Sequence, residues 1–183
     1  MMSKMRNFYG AIFFLLLTLC ACSSARVLNA ESAEGVNLDS YKTFDFFQVQ
    51  ASGDTVSQQF NERIRKIEDA IAIEMQKHGY LLSKTNPDLL INIGLVVNEQ
   101  TETRETNYLT DAPRYIGQRR YSWKSEEVVV SKYRQGTVTV DLVERALNKL
   151  VWQGTVQGVI PEKEERLEEM VKKGMGKLFA RLK

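Results

Sequence analysis

Residues 136–157 read GTVTVDLVERALNKLVWQGTVQ, and two alternations sit inside them. Val138, Val140 and Leu142 point one way, with Thr137, Thr139 and Asp141 opposite. Leu150, Trp152 and Val156 then oppose Gln153, Thr155 and Gln157. A period of two places successive side chains on opposite faces of an extended strand. Arg145 to Lys149 is the right length for a hairpin connection. Two such strands offer one apolar face, and that face needs a second layer to cover it.

Working outward, the same period appears upstream. Leu89, Ile91, Ile93, Leu95 and Val97 fall on one side of a strand, with Asn92, Gly94 and Asn98 on the other, after a start at Pro87-Asp88. Glu127 to Tyr133 reads as a further, less clean strand. Tyr41 to Val49, rich in aromatic and β-branched residues and closed by Ser52-Gly53-Asp54, reads as another.

Between these segments the period changes. Phe60, Ile64, Ile67, Ile71 and Met75 recur every three or four residues and predict a helix over about 57–78, with Asp54 or Ser57 able to cap its start and Gly79 its end. His78 sits in the last turn, where a protonated imidazole suits the dipole, so it reads as structural. A last helix begins at Pro161, with Leu167, Met170, Val171, Gly174, Leu178 and Leu182 as its apolar stripe. Its acids precede its bases, including Glu168/Lys172 and Glu169/Lys173 in the favourable i,i+4 order. The expected architecture is two-layer α+β: a largely antiparallel sheet of about five strands with two helices packed on one face, in the order β-α-β-β-β-β-α.

The N-terminus carries a different message. Lys4 and Arg6 precede the apolar run Phe8–Leu19, and small residues surround Cys22. That is the plan of a secretory signal, too short to span a bilayer comfortably. Leu19-Cys20-Ala21-Cys22 resembles a bacterial lipobox, which implies cleavage between Ala21 and Cys22 and acyl chains on Cys22. A metal or redox CxC pair and an uncleaved anchor are the alternatives. The former lacks ligands, since His78 is the single histidine and there are two cysteines. Ser23 stands where an aspartate would signal inner-membrane retention in enteric bacteria, so the expected location is the outer membrane, facing the periplasm. Residues 1–21 are then the signal peptide, 22–37 a lipid-anchored tether in which Arg26–Ala30 can add a short strand, and 38–183 a single domain.

The chain holds 25 basic and 23 acidic residues, and residues 1–21 contribute two of the bases and none of the acids. The expected mature chain is near neutral, which argues against a nucleic-acid partner.

Four segments carry a resemblance. Tyr41-Lys42-Thr43-Phe44, Asp88-Leu89-Leu90-Ile91-Asn92, Gly136 to Val143 and Leu150-Val151-Trp152-Gln153-Gly154 are similar to a bacterial lipoprotein family, domain of unknown function 4136. The resemblance covers residues 27–180. Glu144 stands where that family often has Asp, and the chain ends Leu182-Lys183 without the family's usual Tyr-Pro. The family implies location and architecture but brings no established activity.

The expected function is a non-enzymatic envelope module, held to the membrane by acyl chains on Cys22, with no cofactor and an envelope protein or glycan as partner. The candidate binding loop lies between Glu99 and Glu126, where Tyr115, Arg119, Arg120, Tyr121 and Trp123 interleave aromatic and cationic groups. The uncharged polar sheet face is a second candidate. The alternative is a cell-wall or lipid hydrolase using a carboxylate pair drawn from Asp88, Asp141 and Glu144.

Overall fold

In the computed structural model, which describes residues 25–53, 58–106 and 124–183, the hairpin read from residues 136–157 lies at the middle of the sheet. The elements are β1 (Arg26–Ser32), β2 (Thr43–Gly53), α1 (Gln58–Lys77), β3 (Leu81–Leu82), β4 (Leu89–Glu105), β5 (Glu127–Glu144), β6 (Lys149–Val159) and α2 (Glu164–Phe179). The strands form one sheet in the order β1-β6-β5-β4-β2-β3. Residues 145–148 make the β5–β6 turn, with Asn148 at φ 49 in the left-handed region that asparagine tolerates.

The sheet has six strands rather than about five, and it is mixed rather than largely antiparallel. β2 runs parallel to both β3 and β4, whereas the β4–β5, β5–β6 and β6–β1 pairs are antiparallel. The cause is α1: a helix inserted after β2 carries the chain back to the end where β2 began, so the next strand starts in the same direction. Two strands are additional to the main elements expected, one at each edge: β3, two residues long, and β1, which lies inside the stretch 22–37 read as a tether, where Arg26–Ala30 is expected to add a short strand. The residues of β1 pair with β6 from Arg26↔Gln157 to Ser32↔Trp152. Glu127–Tyr133 and Gly136–Val143, read as two strands, are one continuous strand, because Gly136 stays extended and pairs with both Val97 and Gly158.

Both helices pack on one face. Ile64, Ile67, Ala70, Ile71 and Met75 of α1 and Met175, Leu178 and Phe179 of α2 are buried with Phe44, Leu89, Ile91, Ile93, Val140, Leu142 and Trp152 of the sheet. Burying each such side chain removes roughly 1.5–3 kcal/mol worth of apolar surface from water. The α2 stripe is wider than the sequence reading, since Met175 and Phe179 join it, and the helix starts at Glu164, after Pro161. The two i,i+4 pairs form as read, Lys172–Glu168 at 2.6 Å and Lys173–Glu169 at 2.7 Å.

Gly79 ends α1 at φ +88. Its N–H bonds the carbonyl of Gln76 and that of Tyr80 bonds Met75, the paired closure that a left-handed C-terminal residue allows. Asp54 and Ser57, read as start caps, lie outside the described residues.

Candidate functional site

The family-like segments meet at one end of the sheet. The Asp88 carboxylate, through Oδ2, accepts hydrogen bonds from the Lys42 N–H (2.8 Å), the Thr43 N–H (2.9 Å) and the Thr43 hydroxyl (2.9 Å). Those donors hold its carboxyl below the usual carboxylate range. Glu144, paired with Leu89 across β4 and β5, lies near enough to the Tyr41 phenol for its charge to act on it. Burial first, then the Glu144 and Asp88 charges, push the Tyr41 phenol up. Two of the three candidate acids therefore flank one tyrosine. Asp88, though, is spent on backbone donors, which favours a permanently ionised acceptor that ties the start of β2 to that of β4. Asp141 is elsewhere, on the helix-free face, where its Oδ1 accepts from Gln153 Nε2 at 2.8 Å.

That face carries the polar residues read from the alternation. Cross-strand rungs join them: Thr139 to Thr155 at 3.1 Å, Gln153 to Asp141, and Gln157 to Thr137 at 3.2 Å. Most of these groups bond one another. The Oδ1 atoms of Asn29 and Asn92, in contrast, are buried without a partner among the described residues.

The third region is a ribbon. β2 accompanies β4 as far as Val97, and β6 accompanies β5 back to Gln135. Beyond those points, among the described residues, Glu99–Glu105 and Glu127–Arg134 form a two-stranded ribbon, joined at its base by the Ile160 N–H bond to the Arg134 carbonyl. At about 3.4 Å per residue the ribbon extends about 24 Å past the six-stranded part. Val129 (58% exposed), Val130 and Tyr133 are exposed on it, and a bulge opposite Glu102/Thr103 places both valines at the surface. Thr106 closes its far end: its N–H bonds the Glu126 carbonyl at 2.8 Å, and its hydroxyl accepts from the Glu126 N–H at 2.9 Å. The candidate loop residues Tyr115, Arg119, Arg120, Tyr121 and Trp123 lie outside the described residues, as do Ala21 and Cys22.

A cavity of about 130 Å³ opens between the two helices and the sheet, near the ribbon's base. Its wall is mostly apolar, with Arg63 and Arg134 as the charged lining residues. Sequence reading missed this region. A signal was present, since Arg63 lies three residues after Phe60 and four before Ile67, a cation on the apolar face of α1.

Among the described residues no group of His, Cys, Asp and Glu is placed to hold a metal ion, and no helix is long and apolar enough to cross a membrane.

A family model described as domain of unknown function (DUF4136) matches residues 29–182. Comparison with curated proteins yields no match. Among solved structures, the chain is similar to a PDZ domain protein from Parabacteroides distasonis, at 14% identity and TM-score 0.47, covering 89% of this chain and 37% of that one. It is also similar to the PelC dodecamer from Paraburkholderia phytofirmans (12%, TM-score 0.44, 86% and 99% covered) and to a minor lipoprotein from Acinetobacter baumannii (11%, TM-score 0.35, 78% and 93% covered). The chain thus spans about a third of the length of the first of these proteins. With TM-scores below 0.5, none of these likenesses bears on function.

Proposed function

The chain belongs to the DUF4136 family, and from that premise we propose that it is a lipid-anchored, non-enzymatic binding or assembly module of the bacterial envelope. The anchor is the acyl-modified Cys22 of the Leu19–Cys22 motif, the location is the outer membrane facing the periplasm, and the partner is an envelope protein. The single observation that carries the binding role is the ribbon formed by β4 and β5.

An isolated two-stranded hairpin is marginally stable in water, because two strands offer no face against which to bury side chains. Here Glu99–Glu105 and Glu127–Arg134 extend past the flanking strands with Val129, Val130 and Tyr133 exposed. An exposed apolar group of this kind on a polar ribbon suits docking to a second protein. The lipid arm supplies location and the ribbon supplies reach.

The test has two arms. Isotope-labelled palmitate fed to producing cells should label the wild-type chain and spare a Cys22→Ser variant. A photo-crosslinking amino acid at Val129 or Tyr133, activated in intact cells, should yield one stoichiometric protein adduct, and the same group at Lys124 or on the solvent face of α2 should yield none. Labelling independent of Cys22 would remove the anchor. Adducts spread over abundant bystanders, or arising equally from α2, would remove the docking role.

A further inference from the structure

The cavity between the helices and the sheet has a composition that selects a ligand class. Apolar side chains, among them Ile67, Leu95, Val138, Val156, Met170 and Met175, make up most of its wall, and no acidic residue is among the lining residues. An apolar recess of about 130 Å³ that opens between the helices and the sheet is shaped to take a small alkyl group out of water. A comparable apolar cavity in another protein stays dry and accepts benzene, which sets the guest here at about six carbons.

The polar groups on the wall then decide the head. Glu164 takes a hydrogen bond from Arg63 Nη2 at 2.9 Å and another from Lys66 Nζ at 2.9 Å, so two cations share one carboxylate. This arrangement holds the guanidinium in place and leaves Arg63 Nε buried, a donor with no acceptor among the described residues. Arg134 adds a second cation on the same wall. A buried donor without a partner is costly, and a carboxylate oxygen is its best complement.

We propose that this cavity binds the alkyl chain of a single-chain carboxylate amphiphile, with its head group held by Arg63 and Arg134. The assignment rests on the cavity alone. An unmodified Cys22 or a ribbon without a partner would leave it standing.

The probes are sodium n-alkanoates of four to twelve carbons and n-alcohols of the same lengths. They are titrated calorimetrically into the full chain as the cell produces it, held in lipid nanodiscs, with empty nanodiscs as the blank. Alkanoate affinity should rise about fourfold per methylene. The rise should level off once the chain outgrows the cavity. Each alcohol should bind at least tenfold more weakly than its alkanoate. Val138→Phe, which fills the cavity, should abolish saturable binding. Arg63→Gln, at a partly exposed position that folding tolerates, should bring the alkanoates down to the alcohols and leave the alcohols unchanged. No saturable binding, equal binding of acid and alcohol, or full alkanoate affinity in Arg63→Gln would overturn the proposal.

Discussion

Gly154→Ala is the substitution on which the packing argument can be tested hardest. Trp152 and Gly154 sit two apart on β6, on the same face, and the indole folds back over the glycine. A Cβ built at residue 154 would meet Trp152 Cη2 at 2.4 Å, Leu178 Cδ1 at 2.7 Å and Trp152 Cζ2 at 2.9 Å. Real contacts of that kind lie near 3.5–4.0 Å, so the ring must retreat by about 1 Å. It has nowhere to go: Trp152 is 1% exposed and its ring is 5.4 Å from that of Phe179. Overpacking a core in this way costs about 1–3 kcal/mol, and two obstacles at once place Gly154→Ala at the upper end. Trp152→Leu alone leaves a hole and costs about 3 kcal/mol. In that background the alanine methyl enters the vacated space, and its own cost should fall below about 0.5 kcal/mol. The coupling is then about 2.5 kcal/mol. Urea unfolding followed by circular dichroism on all four proteins measures it, and each kcal/mol should also appear as a shift of about 2–4 °C in Tm. If Gly154→Ala costs the same with leucine at 152 as with tryptophan, the indole is not what requires glycine there, and the Trp-x-Gly reading fails.

Asp88→Ala should lower stability by about 1 kcal/mol, a figure kept small because the carboxylate is exposed and solvent screens it. Because the folded carboxyl lies below its ordinary value, that contribution is full above about pH 4 and disappears as pH falls through the folded value, so the wild-type and Asp88→Ala unfolding curves should converge in acid. Glu164→Gln removes the acceptor that ties Arg63 and Lys66 of α1 to the first turn of α2. At 49% exposure this should cost about 0.5–1 kcal/mol at low salt, and the difference should shrink in 1 M NaCl. Val129→Asp combined with Val130→Asp should abolish the ribbon crosslink and change stability by less than about 0.5 kcal/mol, because both side chains are exposed. A large loss of stability there would show that the ribbon belongs to the core instead.

What was readable from the chain was whatever depends on local period. The Val138–Val140–Leu142 alternation against Thr137–Thr139–Asp141 places a strand and its buried face, because side-chain direction in a strand is set by position modulo two. The α1 stripe and Gly79 mark a helix and its end for equally local reasons. The lipobox-like motif ahead of Cys22 is likewise a linear pattern, and the expectation of an acylated envelope protein rests on it. Parallel pairing of β2 with β4 could not be read, because direction depends on where α1 returns the chain, and that is decided by which faces pack. β1 was legible only as a short strand within the tether, Arg26–Ala30; its extension to Ser32 and its place at the edge of the sheet come from pairing with β6. The meeting of Tyr41, Asp88 and Glu144, and the cavity that leaves Arg63 Nε without an acceptor, join residues more than forty positions apart. Such contacts exist only after the two layers close, because burial is a property of the assembled core and not of any segment in it.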